Sequence, residues 1–154
     1  MNTSAMAAFA CASALALCAG CTPTHLGTLP RVPENLRAPA TEKLALEADA
    51  SGVQIYECKA SANDATKFEW TLRGPQADLF DISGKRIGRH YAGPTWESFD
   101  GSKVVGEVKA RSDAPDVKAI PWLLMTAKSA SGDGVLGRTA SIQRAQTHGG
   151  RAPQ

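Results

Sequence analysis

Phe68, Trp70 and Leu72 alternate with Glu69, Thr71 and Arg73, the two-residue period of a strand with one face in water. Val104, Gly106, Val108 and Ala110 alternate with Val105, Glu107, Lys109 and Arg111 in the same way. Ile120-Pro121-Trp122-Leu123-Leu124-Met125 is apolar throughout, which marks a strand covered on both faces with Pro121 at its start. Shorter β-like runs occupy residues 54–58, with Ile55 and Tyr56, then 79–82, 85–91 and 136–144. Leu44, Leu46 and Ala48 also alternate and read as a strand. Turn signals separate these runs. Ser83-Gly84 is a two-residue hairpin signal, and Ser131-Gly132-Asp133-Gly134 turns the chain again, because glycine accepts the positive φ such turns need. With 14 Gly and 9 Pro, long helices have little room. The expected fold is all-β: a small antiparallel β-sandwich or barrel of about eight short strands.

Charge divides the chain unevenly. Residues 1–30 contain no Lys, Arg, Asp or Glu, and residues 5–21 are an almost unbroken small and apolar run. That run is short for a bilayer-spanning helix, which needs roughly 20 residues, and suits the apolar core of a secretory signal. It ends in Ala19-Gly20-Cys21, which resembles a bacterial lipoprotein cleavage site with Cys21 as the lipidated residue. Two details depart from that pattern: Cys18 stands where Leu is usual, and no basic residue precedes the run. Pro23, Pro30, Pro33 and Pro39 favour an extended, polyproline-like segment. The expected organisation is a lipoprotein-type signal peptide at 1–21, a tether at 22–39 and one β domain at 40–154. Its expected place is the cell envelope, on the periplasmic side of a membrane and held there by the lipid, or outside the cell. Cys11, Cys18 and Cys21 belong to the leader, which leaves Cys58 as the one thiol of the mature domain and no internal disulfide framework.

With 17 Lys and Arg against 15 Asp and Glu, a net charge of +2 gives no argument for a nucleic-acid partner. No spacing in the sequence calls for a metal or other cofactor. Gly132-Asp133-Gly134-Val135-Leu136-Gly137 spells GxGxxG, but it does not open a helix and lacks the acidic residue that a dinucleotide site places about 20 positions on. It reads as a hairpin. The densest chemistry lies in His90-Tyr91-Ala92-Gly93-Pro94-Thr95-Trp96-Glu97, followed by Asp100-Gly101-Ser102. An imidazole beside carboxylates can serve as a general base or a metal ligand. The same residues can equally fill a core, using their polar tips to bond loops. A triad of Ser102, His90 and Asp100 lacks a nucleophile elbow, and His90, Glu97, Asp100 and His148 lack metal-ligand spacing.

Taken in order, Gly52-Val53-Gln54-Ile55-Tyr56-Glu57-Cys58, Gly88 through Glu97, Asp100-Gly101-Ser102, Ile120-Pro121-Trp122-Leu123-Leu124, Ile142-Gln143-Arg144 and Thr147-His148-Gly149-Gly150-Arg151-Ala152-Pro153 resemble the domain-of-unknown-function 3455 family of secreted bacterial and fungal proteins. The resemblance spans roughly residues 30–153 and implies export and a compact domain, but no reaction. It also implies a cysteine just past the Gly-Gly-x-Ala-Pro segment that could pair with Cys58. None stands before Gln154, so the tail is expected either to fray or to be held by other contacts. The function expected from these residues is a non-catalytic binding or structural domain. Its mouth would be lined by His90, Tyr91, Trp96 and Trp122, with Glu97 and Asp100 as further ligand-binding candidates, and its ligand would be small and apolar or a glycan. The alternative is a periplasmic enzyme using His90 with Glu97 or Asp100 as acid and base.

Overall fold

A computed structural model describes residues 30–153. Within them the chain forms seven strands in a single antiparallel sheet: β1 (Asp49–Ala60), β2 (Phe68–Phe80), β3 (Arg86–Tyr91), β4 (Thr95–Ser98), β5 (Lys103–Ser112), β6 (Trp122–Ser131) and β7 (Ser141–Arg144). Each strand pairs with the next, so spatial order follows sequence order. The all-β fold expected from the alternating runs is therefore present, as one meander of seven strands rather than about eight. Short turns suffice for such a path. Between β2 and β3 the turn is longer than the two-residue hairpin expected at Ser83-Gly84: the Asp81 amide donates to the Lys85 carbonyl across residues 82–84, and Gly84 takes a φ of 78°, the positive φ that glycine accepts.

Strand boundaries shift where pairing overrides pattern. Residues 42–48 have no regular structure, so the alternating Leu44, Leu46 and Ala48 do not form the expected strand, and β1 begins at Asp49. The run from 79 to 82 is no separate strand but the end of β2 and its turn. Residues 135–138 form a turn, and only Ser141–Arg144 of the last run is extended. β6 is covered on both faces, with Leu124 and Met125 at 3% and 2% exposure, and Pro121 lies just ahead of it.

The half-buried strand expected at Phe68, Trp70 and Leu72 is a strand, but its apolar face is exposed. These side chains stand at 71%, 44% and 52% exposure. The reason lies in the pairing. β2 pairs with β1 along its whole length but meets β3 only from Gln76 to Phe80. The far half of the β1–β2 hairpin is therefore a two-stranded arm with no third strand; Leu72 still borders the cavity described below, while Cys58, across from Trp70 farther out, is exposed.

Within residues 30–39, expected as part of the tether, Asn35 and Leu36 are tied to the sheet. A 3₁₀ turn at Glu34–Leu36 buries Leu36 to 1% exposure. Asn35 donates to the Arg111 carbonyl and Gln143 to the Leu36 carbonyl. Gln143 and Leu124 are register partners and share a face, so this segment covers the outer, convex side of β5–β7. Residues 22–29 of the tether, the leader and Cys21 lie outside the described residues.

The other face is concave. Residues from all seven strands line one cavity of about 440 Å³, which requires the sheet to curl strongly. Register shifts between Ile55 and Tyr56, Leu79 and Phe80, Val105 and Gly106, and Val108 and Ala110 mark bulges, which add the local twist that such curling needs. The sheet stays open. Its first strand meets the C-terminal segment, where the Tyr56 hydroxyl donates to the Gly150 carbonyl at 2.8 Å and Ala119 forms an isolated bridge with Gly150. Thr147 and Arg151 side chains bond the Ile120 and Ala119 carbonyls. The tail is thus held by hydrogen bonds through this region.

Candidate functional site

The β3–β4 hairpin sets the floor of the cavity. His90 pairs with Ala77 on one side and Trp96 on the other, and Trp96 pairs with Val104. Directly opposed residues share a face, so this row points into the concave side. The His90 and Trp96 rings stack, with centroids 4.1 Å apart and planes 11° from parallel. Gly106 makes the stack possible from the β5 side, since a Cβ there would come within 3.1 Å of the Trp96 ring. The Thr95 carbonyl can only accept, so the 2.9 Å bond to His90 fixes the proton on Nδ1. Burial lowers the His90 pKa from the ordinary histidine value, against the opposite pull of the Thr95 bond. The imidazole is therefore neutral, with Nε2 left as an acceptor.

Around this floor the walls are mostly apolar: Leu72, Pro75, Val108, Ile120, Leu123 and Met125 all line the cavity. Its polar lining comes from Gln54, Tyr56, Arg73, Arg111, Arg144 and His90. Few apolar side chains in the described residues are fully buried, because the concave face is not filled by its own residues. An apolar concavity of this size falls within the roughly 300–1,000 Å³ of small-molecule sites. A larger groove of about 770 Å³ runs beside β1–β3 and touches Asp78, Arg86, Arg89 and Tyr91. Its charges are already paired, Arg86 with Asp78 and Arg89 with Glu97, so the apolar cavity is the better candidate.

The six residues singled out in the sequence do not converge. His90 and Trp96 come together at the cavity. Tyr91 and Glu97 alternate with them in β3 and β4 and face the other side of the sheet, where the Tyr91 hydroxyl donates to Glu97 at 2.8 Å. That bond and the Arg89 guanidinium lower the Glu97 pKa. His90 with Glu97 thus does not form an acid–base pair.

Asp100 lies in the β4–β5 turn and acts as a clamp. It accepts from the Ser102 amide and hydroxyl and from the Val135 amide. These bonds hold its carboxyl far below the usual carboxylate range. The Ser102 side chain is fully buried and in turn accepts from the Leu136 amide, so the paper triad's serine is occupied structurally. A Cβ on Gly134 would collide with the Asp100 carboxylate, and one on Gly137 with the Gly132 carbonyl. The GxGxxG spacing is explained by this loop wrapping closely on Asp100. Trp122 alternates with Leu123 and shares the parity of Leu124, so it faces the convex side. Its indole nitrogen is buried without a partner among the described residues.

Gln54, Tyr56, Arg111, Leu123, Met125 and Arg144 line the cavity but were not singled out by sequence. They come from four strands far apart in the chain, and only strand register places them together. The strand alternation gave their facing but not their company. Among the described residues no three His, Cys, Asp or Glu side chains cluster as metal ligands would.

No curated protein and no solved structure matches the chain. The model of one protein family, described as protein of unknown function (DUF3455), matches residues 39–154. The match takes in every strand of the sheet and both halves of the cavity wall, and the chain belongs to the DUF3455 family.

Proposed function

We propose that this protein is an exported, lipid-anchored envelope domain whose concave face binds a small, largely apolar molecule without catalysis. The cavity carries the reading. It is lined by Leu72, Trp96, Val108, Leu123 and Met125 and stays unfilled by the protein's own side chains. Leaving such surface in water costs roughly 25 cal/mol per Å² of apolar area, a cost that a bound apolar body removes. The dominance of aliphatic over hydroxyl-bonding groups favours an apolar ligand over a glycan. Export and anchoring rest on the charge-free leader and Ala19-Gly20-Cys21. Mass spectrometry of the mature N-terminus, showing a diacylated Cys21, tests that part.

Binding is tested with a neutral naphthylamine dye whose emission rises in apolar surroundings. The expected result is saturable enhancement with the wild-type domain and its loss in Leu123→Trp, which fills the cavity from β6. No saturable enhancement, or enhancement unchanged in a folded Leu123→Trp variant, would overturn the reading.

A further inference from the structure

The polar part of the cavity is not neutral. Arg111 in β5, Leu123 in β6 and Arg144 in β7 are successive register partners, so the three residues stand in one row across adjacent strands. Opposed residues share a face, and all three line the cavity. The two arginines are therefore separated by a single strand, with an aliphatic side chain between them. Strands lie about 4.8 Å apart, which puts the two backbones on the order of 10 Å from each other, within reach of one small headgroup for two long side chains.

No acid balances them. The cavity lining contains no Asp or Glu. The third arginine there, Arg73, is already paired with Glu57 at 3.3 Å, whereas neither Arg111 nor Arg144 enters an ion pair among the described residues. Arg144 is half-buried and anchored. Its Nε and Nη2 donate to the Pro121 carbonyl at 3.1 and 2.8 Å, which fixes the guanidinium plane and leaves Nη1 available. Burial, and then the Arg111 charge, both push the Arg144 pKa down, the signature of a positive charge short of a counter-ion. Arg144 is a partly desolvated positive charge without an anionic partner, and a second, exposed arginine stands one strand away, so an anion placed between them is favoured electrostatically.

We infer that the cavity takes an amphipathic anion: an apolar body lying against Trp96, Leu123 and Met125, with a carboxylate or phosphate oxyanion held between Arg111 and Arg144. The guanidinium fork matches the paired oxygens of such a group. This inference rests on the binding reading above and narrows it to a ligand class.

The test compares three probes of equal chain length by calorimetry on the folded domain: decanoate, decyl phosphate and the neutral decanol. At least one oxyanion is expected to bind tenfold or more tightly than decanol, a difference of about 1.4 kcal/mol, and which of the two does so identifies the headgroup. Arg111→Gln is expected to bring that probe down toward the affinity of decanol. Because Arg111 is exposed and its side chain holds no bond to the fold, this variant stays folded where Arg144→Gln carries a risk of misfolding. Higher salt is expected to weaken the oxyanion and not the alcohol. Equal binding of all three probes, or an oxyanion preference that survives Arg111→Gln and Arg144→Gln, overturns the anion inference while the apolar-binding reading stands. Failure of all three to bind overturns both.

Discussion

His90 shows how one residue's chemistry is decided by its neighbours. Its ring is 8% exposed, stacked on Trp96 and bonded through Nδ1 to a backbone carbonyl. Burial disfavours the imidazolium, so the folded-state pKa lies below the ordinary value of about 6.5. The sign of the linkage follows. Above 6.5 the ring is neutral in both states and the His90 contribution is fully present. As pH falls below 6.5 the unfolded chain takes up a proton that the folded protein resists, and stability is lost until the folded pKa is passed. Denaturant unfolding between pH 7 and pH 5 should therefore show a steeper loss for wild type than for His90→Asn, which keeps a donor toward Thr95 without titrating. Parallel slopes for the two proteins would show that His90 is not the group responsible. The same residue was legible in the sequence as important. Its role was not, because Glu97, seven positions on, has the wrong strand parity to meet it.

At the scale of elements, the apolar side chains of the β1–β2 hairpin and those of β6 differ in energetics. Phe68, Trp70 and Leu72 alternate as cleanly as any core strand, yet the third strand that would cover them ends at Tyr91, opposite Gln76. Leu79, three positions into the covered part of β2, is 4% exposed, and Leu124 in β6 is 3% exposed. Leu79→Ala or Leu124→Ala is expected to cost about 2–5 kcal/mol, whereas Phe68→Ser or Trp70→Ser is expected to stay within about 0.5 kcal/mol. Urea denaturation of the four variants checks this, and a large loss from Phe68→Ser would mean that the arm is packed. Capping plays little part among the described residues, where the one helical turn, Glu34–Leu36, has no side-chain cap. What keeps that turn in place is Leu36 on the convex face.

Across the whole molecule, the decisive event is closure without strand pairing. The sheet curls until β1 faces the C-terminal segment, and the Tyr56–Gly150 bond spans the opening. The Ile120 amide bonds the Gly149 carbonyl beside it, so the tail is tied to both margins of the cavity. Tyr56→Phe removes the tie on one margin. It is expected to lower stability by about 0.5–1.5 kcal/mol and to speed hydrogen exchange at the Ile120 amide well beyond that of the β5–β6 core, as read by NMR. Unchanged exchange at Ile120 would show that the tail is held without Tyr56.

The sequence by itself determined that the domain is all-β. Alternation and turn glycines are local properties, written within a few residues of each other. It also put an imidazole and an indole on either side of Gly93-Pro94, but that Thr95–Ser98 is a strand paired with β3 came from the structure. The tertiary structure alone decided that Arg111 and Arg144 stand in one row, that Trp122 faces away from the cavity, and that Phe68 and Trp70 stay in water. Each of these depends on how far one strand outruns its neighbour and where a bulge shifts the register, and those quantities are set by pairing partners distant in the chain.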